Sequence, residues 1–104
     1  MSEFKNVTLT REANVYFNGN VTSRSIVFSD GTVKTLGIMM IGDYTFGTEK
    51  PEVMEILAGK LTYRIESSDN WIDVESGESF NVPGDSSFHL KVTQLTDYCC
   101  SYIG

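Results

Sequence analysis

Gly42-Asp43-Tyr44-Thr45-Phe46-Gly47-Thr48, then Glu52-Val53-Met54-Glu55-Ile56-Leu57-Ala58, is the stretch that decides the fold. Successive side chains of an extended segment point to opposite sides. Tyr44, Phe46 and Thr48 therefore share one face. Glu52, Met54, Ile56 and Ala58 share another, opposite Val53, Glu55 and Leu57. The same alternation sets Thr35, Gly37 and Met39 together upstream. Downstream it sets Phe88, Leu90 and Val92 against His89, Lys91 and Thr93. Apolar residues in these sets read as core. A carboxylate or hydroxyl among them needs a partner, water or a ligand.

Working outward, turn signals recur at short intervals: Asn18-Gly19-Asn20, Ser29-Asp30-Gly31, Ala58-Gly59-Lys60, Ser67-Ser68-Asp69-Asn70, Ser76-Gly77 and Pro83-Gly84-Asp85. Between them the sequence predicts strands at Val15–Phe17, Val21–Phe28, Val33–Ile41, Asp43–Phe46, Val53–Ala58 and Lys60–Ile65. Four more fall at Trp71–Val74, Ser79–Val82, Phe88–Gln94 and Asp97–Tyr102. Many short strands at this spacing indicate a sandwich or barrel. No long helical stripe exists, although Glu49–Glu55 has room for one helical turn. The 104 residues amount to one domain, residues 1–104, with residues 1–13 expected to fray or to pair at a sheet edge.

Eight Lys and Arg stand against 14 Asp and Glu, a net charge of −6. That balance argues against a nucleic-acid partner and against an anionic membrane surface. No apolar run nears the roughly 20 residues of a bilayer span, and no apolar leader follows Met1, so a cytoplasmic protein is expected. Cys99 and Cys100 are adjacent, which suits reduced thiols better than a disulfide. One histidine and no spaced cysteine pairs make a structural zinc site unexpected.

Gly42 through Gly59, with Phe46, Thr48 and Glu52 at their spacing, resembles the first cupin motif. Gly77, Pro83-Gly84 and Phe88-His89 resemble the second. The resemblance implies an all-β, single jelly-roll barrel whose metal ligands would fall at Phe46, Thr48, Glu52 and Phe88. The metal-binding histidines are absent from those positions, so no metal and no cofactor are expected. Tyr44 to Thr48, Pro51-Glu52 with Met54, Phe80-Asn81-Val82-Pro83 and Ser87 to Val92 narrow the match. They are similar to the small pyrimidine/purine nucleoside phosphorylases over about Asn14 to Tyr102. That family implies a homodimeric glycosyltransferase (a pentosyltransferase). It cleaves purine and pyrimidine nucleosides with phosphate, as co-substrate, to free base and α-D-ribose 1-phosphate. The alternative is a non-enzymatic cupin that binds a nucleoside or other small molecule as a sensor. Two positions depart from the family's pattern: Asn20, where a lysine is expected, and the polar Arg64-Ile65-Glu66.

Such a reaction needs an anion held, a ribose positioned and a leaving base stabilised. Glu52 is the catalytic candidate: a carboxylate accepts ribose hydroxyls and favours positive charge at the anomeric carbon. Lys34, Arg24 and Lys91 are candidate phosphate cations, with Thr35 and Thr48 offering hydroxyls. Tyr44, Phe46, Phe88 and Tyr102 offer ring faces, which tolerate any base. Asn81 can read a base edge. His89 is a candidate acid or base, although its strand phase turns it outward.

Overall fold

The computed structural model describes all residues, Met1–Gly104. Nine strands follow in order: β1 (Thr8–Leu9), β2 (Asn14–Tyr16), β3 (Val21–Val27), β4 (Val33–Met39), β5 (Gly42–Thr48), β6 (Glu52–Ile65), β7 (Ile72–Glu75), β8 (Ser79–Val82) and β9 (Ser86–Tyr102). A single 3-10 turn, Phe17–Gly19, is the only helical piece. No helix is long and apolar enough to cross a membrane.

The long strands β6 and β9 pair antiparallel from Glu52↔Tyr102 to Ile65↔Phe88 and form the spine. Each half of the spine gathers its own neighbours. The second half of β9 pairs β4, which carries β3, with β1 and β2 on the outer edge of β3. The first half of β6 takes β8 on its other edge. At the opposite end, the first half of β9 takes β5 and the second half of β6 takes β7. Two antiparallel sheets thus share their two longest strands and bend around one interior, the jelly-roll form of a cupin barrel.

The core is what alternation requires. Val21, Met39, Met54, Ile56, Leu61, Val74, Phe80, Val82, Phe88, Leu90 and Val92 are all buried. The inward phase of β6 changes once along its length. Met54 and Ile56 point in, Ala58 does not, and Leu61 points in again. The change is a bulge, with register shifts between Ile56 and Leu61. Gly59 sits in it at φ 95°, where an added Cβ would stand 2.3 Å from the Leu95 carbonyl oxygen. Only glycine fits that conformation and that approach. The expected turn at Ala58–Lys60 is therefore a kink inside one strand, and Ala58 is exposed rather than core.

Three other expectations change. The segments Phe88–Gln94 and Asp97–Tyr102 are one strand, because β9 stays extended past the bulge in β6 and pairs with β6 on both sides of it. Glu49–Glu55 forms no helical turn; it bends and enters β6 at Glu52. β2 ends at Tyr16, because Phe17 and Asn18 take left-handed φ of 51° and 56° to turn the chain. The N-terminal residues pair with their own sheet: Thr8 faces Val27, and Phe4 packs edge-on against Phe28 at 5.1 Å.

Candidate active site

The inner faces of β4, β6 and β9 stack their residues in cross-strand rows. Thr35 pairs Cys100, which pairs Met54 on its other side. Gly37 pairs Tyr98, and Tyr102 pairs Glu52. The pairing of Gly37 with Tyr98 is a size match. An added Cβ at Gly37 would lie 1.9 Å from the Thr22 carbonyl oxygen and 2.8 Å from the Tyr98 hydroxyl. The bare backbone lets the Tyr98 ring lie across it and donate to the Thr22 carbonyl at 3.3 Å.

These rows line a cavity of about 310 Å³, the lower end of the roughly 300–1,000 Å³ usual for small-molecule sites. Phe46 and Phe88 supply one wall as a near-parallel pair, centroids 5.7 Å apart at 25°. Tyr16, from the end of β2, meets the edge of Phe46 at 5.9 Å. Ser23, Thr35, Tyr98 and Tyr102 bring hydroxyls. Lys50, in the β5–β6 loop, is the one cation among the lining residues.

Glu52 is the lining carboxylate that belongs to a strand. Burial pushes its carboxyl above the usual range, and a hydrogen bond from Cys100 draws it partly back. That bond runs from Cys100 Sγ to Glu52 Oε1 at 3.3 Å. The Cys100 thiol is itself pushed far up, first by burial and then by the Glu52 charge, so it is the donor. Tyr98 and Tyr102 are likewise raised by burial, with Ser23 and Thr35 hydroxyls acting in the opposite direction. The phenols stay protonated and can donate.

Of the candidates read from the sequence, Thr35, Phe46, Glu52, Phe88 and Tyr102 meet in this cavity. The others do not, and each has a physical reason. Tyr44 is buried, but its hydroxyl donates to the Met40 carbonyl at 2.7 Å and its ring packs on Phe17. Thr48 spends its proton on the Pro83 carbonyl at 2.7 Å and ties β5 to the turn before β9. Asn81 lies between inward Phe80 and Val82 and is exposed. Lys34 is on the outer face of β4, over the rings of Phe4 and Phe28. Arg24 donates to the Arg11 carbonyl at 3.2 Å on the exposed side of β3. Lys91 sits on the Trp71 ring at 4.2 Å. His89 is outside the barrel, between Thr45 (2.9 Å) and Glu66. One step of strand phase accounts for Asn81, Lys34, Lys91 and His89 alike.

Ser23, Tyr98 and Cys100 went unread, although their signal was present. Once β9 is one strand, the even positions Phe88, Leu90 and Val92 continue past Gln94 into Thr96, Tyr98 and Cys100, all buried. Tyr16 and Lys50 had no periodic signal, since each lies beside a turn.

The cupin metal positions do not suit a metal here. Phe46 and Phe88 present carbon, and Thr48 is bound elsewhere, which leaves Glu52 alone. No three His, Cys, Asp or Glu side chains cluster in the structure.

A jelly-roll barrel whose cavity sets a carboxylate beside a wall of rings defines a cupin-type fold. Residues 11–102 match the pyrimidine/purine nucleoside phosphorylase family, and the chain belongs to it. It is 62% identical over 104 residues to a pyrimidine/purine nucleoside phosphorylase of Geobacter sulfurreducens, covering 100% of both chains. It is 61% identical, again over 100% of both, to the one from Geobacter metallireducens. Among solved structures, a protein of unknown function from Acinetobacter sp. ADP1 superposes with a TM-score of 0.93 at 38% identity. That match covers 97% of this chain and 98% of the other.

Proposed function

We propose that the cavity binds a nucleoside and inorganic phosphate and catalyses phosphorolysis, giving free base and α-D-ribose 1-phosphate. The observation that carries this reading is Glu52: a half-buried strand carboxylate on the wall of a cavity that also presents ring faces, hydroxyls and the Lys50 ammonium. A phosphate oxygen attacks the anomeric carbon. The N-glycosidic bond breaks, its electron pair leaves with the base, and the base takes up a proton. The sugar passes through oxocarbenium character, which a nearby carboxylate stabilises.

The Phe46 and Phe88 faces receive the base by stacking, which suits purines and pyrimidines equally. Hydroxyls of Ser23, Thr35 and Tyr102 are neutral donors for phosphate and ribose oxygens, with the Lys50 charge at the β5–β6 loop. No metal or organic cofactor enters the scheme. The protein works as a homodimer in the cytoplasm, with no nucleic-acid or membrane partner.

The test is to mix purified protein with inosine or uridine, with and without phosphate, and to follow base and ribose 1-phosphate. Phosphate-dependent appearance of both is the expected result. Base release without phosphate would make it a hydrolase. Binding without release would leave a sensor. Light scattering at the mass of one chain would overturn the dimer.

A further inference from the structure

The geometry points to Cys100 as the residue that positions Glu52: its thiol proton holds one carboxylate oxygen against the sheet and leaves the other facing the cavity. This rests on Glu52 acting in the reaction proposed above. Cys100 Sγ lies 3.3 Å from Glu52 Oε1, across the diagonal of the β6–β9 ladder. Both residues are fixed by backbone pairing on the two spine strands rather than by loops. Cys100 is itself held between Thr35 and Met54 and is only 3% exposed. Glu52 Oε1 has no other side-chain donor among the hydrogen bonds of the structure.

The remaining charged or titratable groups around the pair are few. β9 brings Tyr98 and Tyr102, β2 brings Tyr16, and the β5–β6 loop brings Glu49 and Lys50. β8 offers only Phe80 and Val82 on its inner side, and Lys34 of β4 faces outward. No cation side chain makes a salt bridge to Glu52. The thiol is therefore the direct donor that both orients the carboxylate and favours its charged form. A hydrogen bond to the charged form lowers an acid's pKa, so removing it leaves Glu52 protonated up to a higher pH.

The experiment compares wild type with Cys100→Ala, Cys100→Val and Cys100→Ser. Valine fills the volume without a donor, and serine keeps a donor. Two readouts are taken: the pH profile of kcat and KM, and the titration of the Glu52 carboxyl by 13C NMR in unliganded protein. In Cys100→Ala and Cys100→Val, kcat is expected to fall about ten-fold with little change in KM. The acid limb and the NMR midpoint both move to higher pH. Cys100→Ser keeps both near wild type. An unchanged Glu52 midpoint in folded Cys100→Ala or Cys100→Val overturns the proposal. So does a midpoint in Cys100→Ser displaced as far as in the alanine variant. If the midpoint moves while wild-type protein shows no phosphorolysis, positioning stands and the reaction falls.

Discussion

Two carboxylates, Glu52 and Glu66, bracket β6 and are driven in opposite directions. Glu52 opens the strand on the inner face, half-buried, with a thiol as its donor. Burial dominates, and its pKa rises. Glu66 follows the strand on the outer face, exposed, and is bonded to His89. The His89 hydrogen bond and charge dominate, and its pKa falls. The residue type is the same, so environment alone separates an acid whose charge is disfavoured by burial from an ordinary surface pair. The inner face holds its carboxylate where charge is costly, and the outer face holds its salt bridge where charge is cheap.

The largest expected effect breaks this comparison directly. Glu52→Gln should lower kcat at least ten-fold with the fold intact, while Glu66→Gln stays within about two-fold of wild type. Steady-state phosphorolysis of inosine checks both. Equal losses in the two variants would erase the distinction between inner and outer faces.

A smaller effect is expected from the cavity wall. Phe46 is only partly buried, so Phe46→Ala should leave a folded protein. Its stacking face is gone, and a loss of about 1–3 kcal/mol corresponds to KM for the nucleoside rising roughly five-fold or more. His89→Gln, on the outer face, should leave KM unmoved.

The smallest effect is in stability, and here the two acids should differ in sign. Glu52 binds its proton more tightly in the folded state, so the stability it contributes is full below the unfolded value of about 4.5 and is lost as pH rises through the raised folded value. Glu66 does the reverse: its contribution is present above the unfolded value and is lost as pH falls through the lowered one. Thermal melts across acid to neutral pH should therefore show Glu52→Gln gaining on wild type as pH rises. Glu66→Gln should fall slightly behind. Melting temperatures that move the same way in both variants would show that the faces do not act differently on charge.

Much of the barrel was legible because strand phase is a local property. Thr35, Gly37 and Met39 were grouped correctly, as were Phe88, Leu90 and Val92 against His89, Lys91 and Thr93. The candidate phosphate cations lie outside the cavity for a different reason. Arg24 and Lys91 were candidates by charge and Lys34 also by the family resemblance of its run, and a charge on a two-sheet barrel settles on the solvent face unless something pairs it inside. Thr48 and Tyr44 were read as inward and are buried, but buried hydroxyls nearest a backbone carbonyl are consumed by it.

What the sequence determined by itself was the class: alternation and turn spacing indicate a sandwich or barrel, and the resemblance carried by the motifs around Glu52 and Phe88 implies a cupin of this family. Tertiary structure alone decided which side chains share the cavity. Fusing two predicted strands into β9 aligned Cys100, Tyr98 and Tyr102 with Phe88, and the Gly59 bulge reversed the phase of β6 halfway along. Those are matters of long-range pairing. Two residues separated by 48 positions, Glu52 and Cys100, become neighbours only when the ladder between their strands is closed.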